Sequence, residues 1–155
     1  MNLQPKTPAD SYTESVQILN LGTMNGYNRL FGGKLMEWID ICAAVVARRH
    51  SNRNVTTVLV DTLEFKDPAY ANSLVVLCGK VVYVGRTSMD VCVKSYVEKL
   101  DGSRQLINSA YLTLVALDEN DKPTPVPALT LTNDEERLAH DEAKARREAR
   151  KGANR

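Results

Sequence analysis

At 155 residues, with 43% hydrophobic and 25% charged composition, the chain has apolar material for one domain with a real core and too little for a second. Lys plus Arg 20 against Asp plus Glu 19 leaves no net basic field, which argues against nucleic acid or an anionic membrane surface as partner. Cys42, Cys78 and Cys92 are far apart and each lies in an apolar stretch, so they read as buried free thiols rather than disulfides or metal ligands, and they point to a reducing, cytoplasmic setting.

Residues 1–10 form a polar lead with two prolines and no apolar stretch of signal-peptide length, expected to be flexible. Tyr12 to Leu19 alternates enough to predict a first strand. Asn20 to Phe31 holds Gly22, Asn25, Gly26 and Asn28, a turn-rich loop. Gly32-Gly33 then opens a helix running to His50, with Leu35, Trp38, Ile39, Cys42 and Val46 on one side. Met36, Ala43, Ala44 and Ala47 make most of the other side apolar too, which predicts a helix buried nearly all round. It is too short and too charged to span a bilayer. Asp40 stands in its middle, a poor helix-interior residue that loses solvation among apolar neighbours unless something compensates. His50, beside Arg48 and Arg49, reads as a partner for the negative end of the helix dipole.

Beyond the helix, Val55 to Phe65, Ser73 to Val84, Thr87 to Lys99 and Gln105 to Leu117 are rich in Val, Leu, Thr and Tyr. Asp67-Pro68, Gly85-Arg86 and Asp101-Gly102-Ser103 separate them, so the four are expected to pair as an antiparallel meander. Five strands and one greasy helix give an α+β fold, an antiparallel sheet of about five strands wrapped around a long central helix, which is the hotdog arrangement. A plain α+β sandwich would leave the helix a clearer polar side. A proline-rich segment ending at Leu129 closes this domain, placed at residues 11–130. Residues 131–155 form a charged C-terminal tail. Thr132-Asn133-Asp134-Glu135 reads as a capping box, and Arg146, Arg147, Arg150 and Lys151 suit the far end of a helix. With so few apolar residues the tail reads as a solvated or frayed helix, a subunit contact being the alternative.

The run from Asn25 to Asp40, Asn-Gly-Tyr-Asn-Arg-Leu-Phe-Gly-Gly-Lys-Leu-Met-Glu-Trp-Ile-Asp, resembles the opening motif of the hotdog acyl-CoA thioesterases, in their acyl-CoA hydrolase branch. The resemblance continues through Ala47-Arg48-Arg49-His50, Val60-Asp61, Val84-Gly85-Arg86-Thr87-Ser88-Met89 and Leu114-Val115-Ala116-Leu117-Asp118, in the same order and spacing. It implies coenzyme A thioester substrates, Asn25 and Asp40 as the catalytic pair, and double-hotdog dimers that commonly assemble as trimers of dimers.

Thioester hydrolysis needs an oxyanion stabiliser, a group that activates water or attacks, and a grip on a large anionic leaving group. The Gly33 N–H at the positive end of a helix dipole suits the first, with close packing of the turn as the plainer alternative. Asp40 suits the second as general base or nucleophile, or else is a structural carboxylate. Asn25 could orient water or the thioester carbonyl through its amide, or serve only as a turn residue. Gly85, Arg86, Thr87 and Ser88 offer N–H groups, hydroxyls and a guanidinium to coenzyme A phosphates, or are an ordinary hairpin. Gly33 and Asp40 lie about 10 Å apart along a helix axis, too far to touch one thioester group together, so the sites are expected to be shared across a two-fold dimer axis. No cofactor beyond the coenzyme A of the substrate is called for, and the scattered Cys and His do not suit a metal. The competing functions are a hotdog acyl-CoA binding or sensing module without catalysis and an enoyl-thioester hydratase, the latter disfavoured by the lack of a suitably placed His.

Overall fold

The computed structural model describes residues 3–153. A helical turn, α1 (Pro8–Ser11), leads into strand β1 (Thr13–Ile18), a short tight turn at Leu21–Thr23 and the long helix α2 (Gly32–Ser51). Strands β2 (Asn54–Phe65), β3 (Leu74–Val84), β4 (Ser88–Glu98) and β5 (Arg104–Leu117) follow, and helix α3 (Asp134–Ala153) ends the described chain. The strands form one antiparallel sheet, and α2 packs against all five of them, as the hotdog arrangement requires.

The strand order is β1-β3-β4-β5-β2, which corrects the expected four-strand meander. Only β3, β4 and β5 meander; β2 pairs with β5, from Asn54 opposite Leu117 to Phe65 opposite Asn108. The reason lies in residues 66–73, which make a crossing rather than a hairpin. Asp67-Pro68 and a left-handed Asn72 (φ 68°) bend this link, and Leu30 N–H to Ala69 O (2.8 Å) and Leu19 N–H to Ser73 O (3.0 Å) tie it to the loop before α2. It therefore crosses beneath the start of the helix and delivers β3 beside β1. Register shifts in β2 between Thr57 and Leu59 and between Val60 and Thr62, and in β3 between Val81 and Tyr83, are bulges that add the curl needed to wrap a helix.

At the centre of the sheet a Cβ on Gly79 would stand 2.9 Å from both Cys42 Sγ and Val46 Cγ2. The helix thus rests on bare backbone there, closer than any side chain would allow. Leu35, Ile39, Cys42, Ala43, Val46 and Ala47 of α2 fill the core against Val75, Leu77, Met89, Val91, Leu112 and Leu114. The other side of α2 is not buried: Met36, Glu37, Asp40 and Ile41 are exposed. A five-stranded sheet covers one side of the helix and leaves the second open, so burial nearly all round does not hold within one chain.

His50 is corrected more sharply, because its ring is fully buried and its Nε2–H donates to Pro127 O at 2.9 Å. Burial pushes its pKa below the ordinary 6.5, against the smaller upward pull of that carbonyl, so the ring serves as a neutral strut between α2 and the proline segment. The unfolded chain then binds the extra proton first. The stability that His50 contributes is complete above about pH 6.5 and is lost as pH falls below it. Melting temperature is expected to drop between about pH 7 and about pH 5, and His50→Gln should flatten that drop; parallel curves for the two proteins would refute this origin.

Within the lead, Lys6 pairs with Leu129 as an isolated bridge, and its Nζ donates to Arg49 O and Asn52 Oδ1, each at 2.8 Å. Cys42 and Cys92 are buried free thiols, whereas Cys78 is only half-buried, because its strand position faces away from α2. Helix α3 is capped one residue later than the sequence suggested, with Asn133 Oδ1 accepting from Glu136 N–H (2.8 Å) and the Glu136 carboxylate accepting from Thr132. It lies on the outer face of the sheet through the buried Ala143 and a row of arginines. Arg146 and Arg150 reach Asp61 (3.6 and 3.1 Å), and Arg146 also stacks on Tyr111, 3.8 Å from the ring centre.

Candidate active site

The exposed side of α2 forms one wall of an apolar cleft of about 340 Å³ whose opposite wall is β2. Gly33, Met36, Ile39 and Asp40 line it from the helix, and Thr57, Val60, Leu63 and Leu112 from the sheet. Val60 and Met36 are both exposed on this cleft, and its mostly apolar lining suits a hydrocarbon better than a polar ligand.

Asp40 sits on this cleft with Oδ1 accepting a 2.7 Å hydrogen bond from Thr57 Oγ1. The contact fixes the carboxylate rotamer while leaving Oδ2 without a partner among the described residues. Thr57 was not singled out from sequence. Its alternating strand context carries no signal of this contact, which arises only from the way β2 is laid against α2. At the other end of the cleft the helix opens after Phe31, whose carbonyl already accepts from Lys34 and Leu35 N–H (3.0 and 3.1 Å). The Gly33 N–H is one turn too early to be used inside the helix and has no acceptor among the described residues. It is an available donor at the positive end of a twenty-residue helix.

Asn25 is placed elsewhere. Its Oδ1 accepts from Tyr27 N–H (2.8 Å) and Arg29 N–H (3.2 Å), a side-chain turn that shapes the loop, so the amide NH2 remains the group it can offer. It lines a separate cavity with Arg29, Leu30, Leu35, Phe65 and Pro68. Within one chain, therefore, Gly33 and Asp40 share a cleft and Asn25 does not join them.

The hairpin Gly85–Ser88 is a third location. Gly85 N–H bonds Ser88 O (2.9 Å) and Arg86 O accepts from Val126 N–H (3.0 Å), which puts the hairpin next to the segment that holds His50, at the C-terminal end of α2. Arg86 is exposed, and its guanidinium makes no bond among the described residues. Among the described residues no helix is long and apolar enough to cross a membrane.

Comparison with known proteins agrees with this geometry. Residues 27–102 match the model of the thioesterase superfamily. An uncharacterized acyl-CoA thioester hydrolase of Bacillus subtilis is 42% identical over 132 residues, covering 84% of this chain and 77% of that protein. A crystal structure of an apo-hexameric acyl-CoA thioesterase superposes with a TM-score of 0.93 at 36% identity, covering 97% of each chain. An acyl-CoA hydrolase of Staphylococcus aureus in complex with butyryl coenzyme A, coenzyme A and coenzyme A disulfide gives a TM-score of 0.91 at 31% identity, over 96% of this chain and 92% of that one. The Staphylococcus aureus enzyme has also been solved with single alanine replacements of an asparagine, an aspartate and a threonine. A carboxylate and a free helix-terminal N–H on one apolar cleft, in a sheet-wrapped helix of this topology and at this level of identity, mean that the chain belongs to the acyl-CoA thioester hydrolases of the thioesterase superfamily.

Proposed function

We propose that this chain hydrolyses acyl-CoA thioesters to a free carboxylic acid and coenzyme A, with Asp40 as general base or nucleophile. The observation that carries the reading is the Asp40 carboxylate, held by Thr57 on an apolar cleft. As a base, Asp40 takes a proton from water while the oxygen of that water bonds to the thioester carbonyl carbon. The carbonyl oxygen gains the negative charge and needs donors such as the helix-start N–H that a second copy would bring. When the C=O re-forms, the C–S bond breaks and the thiolate leaves with the proton. As a nucleophile, the Asp40 carboxylate would instead bond to the carbonyl carbon and expel the coenzyme A thiolate as the C–S bond breaks, leaving a mixed anhydride that water cleaves to the acid, with the released proton going to the thiolate.

The separation of Asn25 from Asp40 within the chain supports sites shared by two copies, each taking the loop and helix start of one and the Asp40 of the other. The hexameric relative is consistent with such dimers assembling further, as trimers of dimers. In the Staphylococcus aureus enzyme the replaced asparagine, aspartate and threonine stand 15 and 17 residues apart in turn, and Asn25, Asp40 and Thr57 keep those intervals. This supports Asn25 as the group orienting water or carbonyl and adds Thr57 as the residue that holds Asp40. Arg86, with Gly85, Thr87 and Ser88, is read as the grip on the coenzyme A phosphates, because it is an exposed guanidinium without a partner among the described residues. Side chains and backbone N–H groups suffice for the reaction as written. The buried single thiols Cys42 and Cys92 favour a cytoplasmic setting.

A panel of acyl-CoAs of increasing chain length, followed for free thiol and for enoyl absorbance, tests the reading. Thiol release with no enoyl change is expected. Tight binding with no thiol release at any length would instead identify a binding module without catalysis.

A further inference from the structure

The role of α3 is not explained by the hydrolytic site, since none of its residues lines the cleft. Yet one of its arginines reaches the hairpin after β3. Arg147 forms two parallel bonds to Asp90, Nε to Oδ2 at 2.8 Å and Nη2 to Oδ1 at 2.9 Å, and Thr113 Oγ1 donates to the same Asp90 Oδ1 at 2.6 Å. Asp90 is 5% exposed and stands two residues after Ser88. The guanidinium also stacks on Tyr83, 4.6 Å from the ring centre, two residues before Gly85. Its remaining Nη1 lies against Gly85 itself: a Cβ there would be 2.8 Å from Nη1 and 2.8 Å from Ser88 Oγ. One side chain therefore touches both strands flanking the hairpin and the hairpin's first residue, and any side chain at Gly85 would have to displace its guanidinium.

We propose that Arg147 is a positioning residue for the hairpin Gly85–Ser88, so that the grip on the phosphate-bearing part of coenzyme A depends on the C-terminal helix. This rests on the reading of that hairpin as the coenzyme A grip. A planar fork is needed for the role, because two bonds to Asp90 set the guanidinium plane and so aim Nη1 at Gly85. Arg150 and Arg146 do not reach the hairpin. They hold α3 on the sheet through Asp61, away from Gly85.

The test compares Arg147→Lys, Arg147→Met and the double variant Arg147→Met/Asp90→Asn, which leaves no unpaired buried carboxylate if the single change fails to fold. Michaelis constants are measured for an acyl-CoA and for the same acyl group on a short thiol lacking the nucleotide, with Arg86→Ala and Arg150→Met as references. Each Arg147 variant is expected to raise the constant for the acyl-CoA roughly tenfold, about the loss of one good hydrogen bond, with kcat and the short-thioester constant unchanged. Arg150→Met should leave both constants alone. If Arg86→Ala is selective for the acyl-CoA but the Arg147 variants are not, the positioning role is overturned and the hairpin reading stands. If Arg86→Ala acts equally on both substrates, the hairpin is not the grip and the proposal falls with it. An equal rise in Arg150→Met would also overturn it, since the effect would then come from loosening α3 as a whole.

Discussion

Asp40→Asn is expected to leave the fold intact and to lower kcat by a factor of roughly 10² to 10⁴, the usual contribution of a positioned general base. The structure makes this a clean experiment. Asp40 is exposed within the chain, and among the described residues its side chain is bonded by Thr57 Oγ1, a donor that an asparagine oxygen can accept from as well. Removing the charge therefore neither opens a cavity nor strands a buried donor, and the melting temperature should hardly move. Thiol release from an acyl-CoA, measured beside a thermal melt, checks both halves. An unchanged kcat would remove Asp40 from the chemistry. A low kcat with a collapsed melt would show that the carboxylate is needed to build the fold or the subunit contact rather than to react.

Mixing two inactive proteins should restore activity. In a dimer built from one Asn25→Ala chain and one Asp40→Ala chain, sites that take Asn25 from one copy and Asp40 from the other divide unequally. One site carries both defects and the other carries none. Random exchange makes about half the dimers mixed, each with one intact site of two, so about a quarter of the wild-type rate should return. Verified mixed dimers that regain nothing would show each site to be completed within a single chain. The expectation rests on placement: Asn25 lines a cavity with Arg29 and Phe65, while Asp40 lies on the cleft with Thr57, and no described contact joins them.

The parts of this molecule that were legible in its sequence are those set by local pattern. The α2 helix declared itself through the spacing of Leu35, Ile39, Cys42 and Val46, and the strands through their Val- and Thr-rich runs between Gly and Pro breaks. What local pattern could not fix was which strand lies beside which. β2 joined β5 because residues 66–73 bond the loop before α2, a contact made across about fifty residues of chain and invisible to any short window. The same holds for the site. Asp40 stood out as a charge among apolar residues, but it lies on the open side of α2 and is exposed. Thr57 was missed because its meaning comes only from the pairing of β2 against α2. His50 was assigned to the helix dipole on sequence position, whereas Pro127, far along the chain, makes it a buried neutral strut. The anchoring of the tail was hidden for a related reason. Its sparse apolar residues carry no sign that Asp61 and Asp90 supply partners for its arginines from the sheet.

The bare backbone at Gly79 has a kinetic consequence. Cys42 Sγ is pressed against it, and burial raises the thiol to about 11, so at neutral pH it is neither reachable nor ionised while α2 stays seated. Cys78, half-buried on the opposite face, is not covered by α2. The chain thus holds a timer in its core, since Cys42 can be modified only in the moments when the central helix lifts from the sheet. The slow component of its alkylation measures how often the scaffold beneath the active site opens.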